Sequence, residues 1–394
     1  MPPLRVLHVI PSVSPRDGGP TRAIDIIERA LSKAGVEVTT LTTDHDLDLQ
    51  GRSCASMGEN GACRIYAHKW LDAYKVAPGL VPRLMRALQT HDVVHIHALF
   101  SFASTAAAWV AHRRSVPYVV RPLGTLSRYS LRTHRRQLKG LSMALVEKRI
   151  LRCAAAVHFT SRVELEEAKA LGLRMRSVVI PLGVDPDDAS PPAPIAHPAL
   201  AGRRVILFLS RLDPKKNVEA LIFAIASSPM LRSSCALIIA GTGEPKYVAS
   251  LKARAAAVGI SDQTVWLGHI EGVQKRAALA AADVLVLPSL SENFGIAAIE
   301  ALLAGVPCVL GEGVAVADEV EKAGAGFAVP PTPGAIAQAL ERMLGPDATM
   351  RRDMALRAKR VAEQKFSTRD MAQQLVALYE DLCGRGRRWN IERQ

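Results

Sequence analysis

Short runs of consecutive apolar residues alternate along this chain with longer stretches whose apolar positions recur every three or four residues. The first pattern marks buried parallel strands and the second the helices that cover them. In the first half the strand-like runs are 5–10, 36–42, 93–96, 117–121, 155–160 and 178–181. The clearest helix between them is 21–34, with Ile24, Ile27 and Leu31 on one face, Asp25, Glu28, Arg29 and Lys33 on the other, and Gly35 ending it. Residues 183–198 then hold five prolines and no period of either kind, which reads as an interdomain linker. A second series follows at 205–210, 235–241, 264–268, 284–288, 307–310 and 326–330. The alternation predicts an α/β protein of two doubly wound, Rossmann-like domains facing across a cleft, with ligands at the carboxyl ends of the strands. The domains are expected at 1–185 and 201–367, joined by a Pro-rich linker at 186–200 and followed by a segment 368–394 that begins with a helix.

A chain of 394 residues, 49% of them apolar, is long enough for two such cores. Residues 1–10 lack the basic start and long apolar core of a secretory signal, and no run approaches the ~20 apolar residues of a membrane span. A cytoplasmic protein is expected. The six cysteines, Cys54, Cys63, Cys153, Cys235, Cys308 and Cys383, show neither CxxC nor zinc-ligand spacing and read as reduced thiols, a Cys54–Cys63 bridge being the alternative. The net charge of +13 is unevenly placed: residues 1–185 carry 26 Lys and Arg against 15 Asp and Glu. Between Arg113 and Arg152, eleven basic residues face a single acid, Glu147. Such a segment fits anionic lipid, nucleic acid, an acidic substrate or a solvated helix face. With 5% aromatic residues and no basic/aromatic interleaving, single-stranded nucleic acid is the poorest of these.

After the first strand, Gly18 and Gly19 lead into a helix with Pro20 at its start. Glycines admit close approach of an anion and the helix N-terminus offers N–H donors, so this turn is a candidate phosphate site or simply a strand-to-helix connection. It is not GxGxxG, and GxxxxGK[ST] is absent, which counts against both nicotinamide cofactors and P-loop chemistry. In the second domain Arg211 and Lys216 follow a buried strand, where fixed cations would stabilise a departing phosphate; alone, they equally describe a solvated turn. Glu292 and Glu300 lie eight positions apart across a strand-to-helix junction, a helical rise of about 12 Å that suits an elongated nucleotide-sugar. Asp44-His-Asp46-Leu-Asp48 has DxD spacing but sits in a polar loop. His95 and His97 share one side of a strand, too few ligands for a metal.

The order Arg211-x4-Lys216, Gly241-Thr-Gly243, Trp266-Leu-Gly-His269 and Glu292-x7-Glu300 resembles retaining glycosyltransferase family 4, which has the GT-B fold. The resemblance spans nearly the whole chain and is most specific from Val205 to Gly326. It implies that Arg211 and Lys216 bind the diphosphate, that Glu292 contacts donor-sugar hydroxyls and that Glu300 binds the ribose. It places Gly241, Gly243, Asn293, Phe294, Gly295 and Ile296 around the donor, backbone N–H groups at Phe294 and Gly295 meeting sugar and phosphate. His269 and Ile270 fall where the base sits, and Gly18 and Gly19 where a loop of the first domain closes on the diphosphate. His97, Arg121, Leu123 and Thr125 are implied as sugar or acceptor contacts, and the helix from Thr368 to Cys383 as crossing back to the first domain. No metal and no cofactor beyond the nucleotide-sugar are implied.

One position departs from the family. Where many relatives carry a His that reaches the sugar's primary hydroxyl, this chain has Leu123, which suits a 6-deoxy donor whose methyl group it could pack against. The activity implied is transfer from a UDP- or GDP-sugar to a hydroxyl, the acceptor being a lipid-linked glycan of cell-surface polysaccharide. Residues 121–131 resemble such members, and the basic segment Arg113–Arg152 would then dock on the inner face of the plasma membrane. The alternatives are a sugar-nucleotide epimerase of the same fold and a non-enzymatic basic binder of membrane or nucleic acid.

Overall fold

A computed structural model describes residues 2–47, 56–57, 61–132, 136–185, 195 and 197–385. The chain forms two compact units, one of residues Met1–Gly183 with Ser367–Gln394, the other of Val184–Phe366. Most of the Pro-rich stretch 186–200, Cys54, Asp48, residues 133–135 and the tail beyond 385 lie outside the described residues. Among the described residues no helix is long and apolar enough to cross a membrane.

The first unit is built on β1 (Arg5–Val9), β2 (Glu37–Thr43), β3 (Ser56–Met57), β4 (Cys63–Ala67), β5 (Val93–His97), β6 (Tyr118–Arg121), β7 (Ala156–Phe159) and β8 (Ser177–Val179). Their order is β3-β4-β2-β1-β5-β6-β7-β8, parallel except for the β3/β4 pair. The sheet reverses direction of growth between β1 and β5, where Val6 to Val9 pair with Val93 to Ile96. Both faces are covered, so central strands such as Val93–His97 are buried at every position. The amphipathic helix Gly19–Lys33 covers one face, burying Ile24, Ile27 and Leu31. The last helix, Thr368–Leu382, packs beside it and buries Met371, Leu375, Leu378 and Tyr379. Polar ties fix that helix to this unit: Asp381 to Arg176 at 2.8 Å, the Tyr379 hydroxyl to His95 at 2.7 Å, and just beyond it Arg385 to Asp92 at 2.7 Å.

The second unit holds β9 (Arg204–Leu209), β10 (Cys235–Ala240), β11 (Thr264–Gly268), β12 (Val284–Leu287), β13 (Cys308–Gly311) and β14 (Gly326–Val329), all parallel, in the order β11-β10-β9-β12-β13-β14. The apolar run of β10 is buried along its whole length. The order reverses between β9 and β12. In open α/β sheets that reversal parts the loops at the strands' carboxyl ends and leaves a crevice for ligands.

The helical rise assigned to the Glu292–Glu300 interval needs correcting. The helix after β12 runs Ile296–Leu303, so Glu292 lies in the preceding loop and only Glu300 is helical. The strand β4 escaped the sequence pattern because its residues alternate weakly and are mostly half-buried.

Candidate functional site

In the second unit the loops at the carboxyl ends of β9 and β12 meet at the point of reversal. The β9 loop is fixed by Asp213, whose carboxylate accepts from the Lys215 N–H at 3.0 Å, and by Asn217, in left-handed conformation (φ 56°). The Asn217 amide donates to Pro331 O at 2.8 Å and Pro288 O at 3.3 Å, tying this loop to those after β14 and β12. The Leu290 N–H donates to Lys215 O at 2.8 Å. The backbone of Glu292 pairs on both sides with 313–315, donating to Gly313 O at 2.8 Å and accepting from Ala315 N at 3.1 Å.

This framework brings Lys216 and Glu292 into a direct ion pair, Lys216 only 7% exposed and Glu292 21% exposed. Burial, and then the cations of Lys215 and Arg211, push the Lys216 ammonium down, with Asp213 opposing. The Glu292 carboxylate in contact favours the charged form, so we read the pair as ammonium and carboxylate. Arg211, in the same loop, is exposed. Glu300 is held by Lys275 at 2.7 Å, both side chains mostly buried. Lys275 carried no signal in the sequence, because it lies on a separate helix, Gly272–Ala281.

Gly241 and Gly243 act one step back from any ligand. A Cβ at Gly241 would lie 1.9 Å from Ser210 O, and one at Gly243 2.1 Å from Leu212 O. Glycine there lets the loops after β9 and β10 run side by side, with Leu212 N–H donating to Thr242 O at 2.8 Å, and so places Arg211. Gly295 adopts φ 92° at the start of the helix Ile296–Leu303, whose first turn has no side-chain cap. The Phe294 side chain points into the unit, stacking edge-to-face on Phe366 with ring centroids 5.6 Å apart, so only its backbone is free for a ligand. Asn293 and Ile296 flank it, half-buried. His269 is exposed and bound to Glu271 at 2.9 Å, and Ile270 beside it is buried.

In the first unit Gly18 and Gly19 are exposed, Gly18 at φ 64°, at the start of the 15-residue helix Gly19–Lys33. Ser14 fixes the approach, accepting from Arg16 N–H while its carbonyl accepts from Thr21 at 2.7 Å. Leu123 and Thr125 are half-buried in the turn after β6, with Leu123 at φ 57°. The buried Glu164 holds that turn, accepting from the Gly124 N–H at 2.8 Å and the Thr160 N–H at 2.9 Å.

His97 and Arg121, expected as sugar or acceptor contacts, are instead part of this unit's polar core. His97 is 0% and Arg121 2% exposed. His97 Nε2 meets His8 Nδ1 at 2.8 Å, and the neutral His158 donates its Nε2–H to Ile180 O at 2.8 Å and so accepts at Nδ1 from His95 Nε2 at 3.4 Å. The sequence missed His8 and His158 because they reach the pair at His95 and His97 only through sheet pairing. Ring nitrogens of His8, His95 and His97 lie within 4.8 Å of one another, more ligands than the sequence suggested. The Arg121 guanidinium among them disfavours a metal ion and, after burial, helps keep these imidazoles neutral.

Two family models cover most of the chain: glycosyl transferases group 1 over residues 194–361, and a glycosyl transferase 4-like domain over residues 18–183. An uncharacterized glycosyltransferase of Methanocaldococcus jannaschii is 32% identical over 179 residues, 45% of each chain. The phosphatidyl-myo-inositol mannosyltransferase of Mycobacterium leprae is 30% identical over 53% of this chain and 55% of its own. The chain thus spans about half the length of these two relatives. Among solved structures, that of Anabaena HepE in complex with UDP and glucose superposes with a TM-score of 0.75 at 20% identity, covering 95% of this chain and 98% of the other.

Proposed function

The chain belongs to the glycosyl transferases group 1 family and has the GT-B fold, and from that premise we propose that it moves a glycosyl unit from a UDP- or GDP-sugar to a hydroxyl acceptor, retaining the anomeric configuration. The observation that carries this reading is the Lys216–Glu292 pair at the carboxyl ends of β9 and β12, where the sheet order reverses. A diphosphate arriving there meets Lys216 and the exposed Arg211, and the Glu292 carboxylate, relieved of its cation, is free to accept from sugar hydroxyls. Glu300, oriented by Lys275, sits one helical turn and more beyond Gly295 and suits the vicinal hydroxyls of a ribose.

The two carboxylates each have a cation partner, which fits binding better than nucleophilic attack. In the step we infer, the acceptor oxygen bonds the anomeric carbon on the face the diphosphate leaves. The acceptor proton passes to a diphosphate oxygen, and the Lys216 and Arg211 cations stabilise the charge that builds there. That charge stabilisation supplies what a metal otherwise would, so we expect metal-independent turnover. The acceptor, on this reading, is a lipid-linked glycan. Support comes from the lipid in the name of the mycobacterial relative and from the basic segment Arg113–Arg152, which suits an anionic membrane. An epimerase would need acid and base groups open to the sugar in the first unit, whereas its clustered histidines are sealed within that unit.

Calorimetric titration with UDP and GDP tests the donor half. The wild type should bind one of them saturably and Glu300→Ala should lose most of that affinity; binding of neither nucleotide would remove the basis of the assignment.

A further inference from the structure

The basic segment is only half of an unusual surface on the first unit. Along the helical stretch Arg136–Cys153, Leu138, Leu141 and Leu145 are 63%, 58% and 68% exposed, spaced three and four residues apart on one outward face. Lys148, Arg149 and Arg152 follow on the exposed side of the same stretch. Its only acid, Glu147, points inward and is fully buried, accepting from Ser142 Oγ at 3.0 Å and Phe100 N–H at 3.1 Å. A soluble protein ordinarily turns leucines of an amphipathic helix toward its core; here the stretch presents them to solvent beside its cations.

Neighbouring elements extend the patch. The Tyr74 hydroxyl bonds Thr105 at 2.8 Å and lies within reach of Ser142 and Glu147, so it joins the helix Phe102–Arg113 to the leucine stretch. Trp109 on that helix is 54% exposed, with the Arg113 guanidinium 4.8 Å over its ring. Trp70 and Leu71, in the turn that carries Tyr74, are exposed as well. Exposed leucines bordered by tryptophan, tyrosine and a rim of Arg and Lys match a bilayer interface: chains for the acyl region, amphipathic rings for the headgroup level, cations for anionic lipid.

We propose that this face, centred on Leu138, Leu141 and Leu145, inserts into the headgroup–acyl boundary of an anionic phospholipid bilayer, with Lys148, Arg149 and Arg152 held at the phosphates. This deepens the membrane reading above and rests on it. Charge complementarity selects the occupant: residues 136–153 expose Lys148, Arg149 and Arg152 but no acid, Glu147 being buried, and Asp72 beside Tyr74 is paired with Lys69, so an acidic surface is what the rim lacks. Purely electrostatic docking would come off in salt. Burial of even one leucine side chain is worth roughly tenfold in partition, so insertion leaves a component that salt does not remove.

The test is co-sedimentation of the full chain with vesicles of equal phosphatidylglycerol and phosphatidylcholine at low and high NaCl. The wild type should bind at low salt and remain largely bound in high salt. Leu138→Ser/Leu141→Ser/Leu145→Ser should bind at low salt yet lose about tenfold or more in partition at high salt. Lys148→Glu/Arg149→Glu/Arg152→Glu should lose the low-salt encounter. The leucines are mostly exposed, so an unchanged thermal melt certifies the folding of the triple variant, and single Leu141→Ser and Leu145→Ser variants repeat the test if it melts early. Wild-type binding that is fully reversed by salt overturns the insertion. So does a dimer of the wild type in sedimentation velocity that the leucine variant abolishes, which would assign the face to a second copy. The assay needs no nucleotide: absent vesicle binding with intact UDP or GDP binding sinks the docking alone.

Discussion

Acid should unfold the first unit before the second, because four imidazoles are sealed neutral in its core. His8 and His158 are pushed down from the ordinary 6.5 to about 3, by burial first and then by Arg121. His95 and His97 are driven well below it by burial first and then by the other histidines of the cluster and Arg121. A group whose pKa is lower folded than unfolded gives full stability above its unfolded pKa and loses it as pH falls toward the folded value. The window therefore opens near 6.5 and runs down toward 3. One pH unit below 6.5, each unfolded imidazole gains about 1.4 kcal/mol from protonation, so the four together cost the fold about 5–6 kcal/mol. Two units below, the cost is about 11 kcal/mol, comparable to the whole stability of a typical domain, roughly 5–15 kcal/mol. Glu147 and Glu164, raised by burial, work in the opposite sense and trim the slope. In the second unit the described histidines, His197 and His269, lie at its surface. Hydrogen exchange of the two sheets, with urea unfolding from pH 7.5 to 5, reads the difference: uptake on unfolding the first unit should rise from well under one proton at pH 7.5 to about three to four near pH 5, with nearly none near pH 5 for the second. His158→Gln should reduce the uptake by about one. Equal acid sensitivity of the two units, or an uptake below one proton for the first near pH 5, would refute the burial argument.

Three further outcomes follow from the site. Gly243→Ala should destabilise the second unit by about 3 kcal/mol, because its Cβ meets Leu212 O, and should weaken UDP or GDP binding through displacement of Arg211; an unchanged melt contradicts this. Lys275→Ala should raise the KM for the nucleotide-sugar more than it lowers kcat, since it orients Glu300 rather than touching the reacting atoms, and a pure kcat loss would oppose that role. Leu123→His should not improve turnover of any 6-deoxy donor; improvement would show that the side chain does not meet a methyl group.

Much of the fold was written in the apolar runs. The twelve strand-like runs all form strands within two residues of their expected ends, the central ones, such as β5 and β10, being apolar enough to be buried at every position. The mostly half-buried strand β4, between β3 and β2, had no such run. In the site, sequence order alone brought Arg211, Lys216, Glu292 and Glu300 forward, but not the pairing that makes Lys216 and Glu292 one unit. That pairing depends on the loops after β9 and β12 adjoining in the sheet, a long-range fact. His97 and Arg121 misled for the same reason: at the end of a strand a polar residue reads as open to a ligand, and only the packing of His8, His158 and Tyr379 around them shows otherwise. In the segment Arg113–Arg152 the sequence pointed only to the cations; that Leu138, Leu141 and Leu145 turn outward beside them is visible only in three dimensions.

The central claim is that a nucleoside-diphosphate sugar is bound and cleaved at the loops after β9 and β12. It is tested most directly by nucleoside diphosphate release from a panel of UDP- and GDP-sugars, with and without chelator. The wild type should release UDP or GDP from at least one donor, unaffected by chelator, and Lys216→Ala and Glu300→Ala should each release almost none. Full release by both variants, or none by the wild type from any donor in the presence of lipid-linked acceptors, would contradict the account.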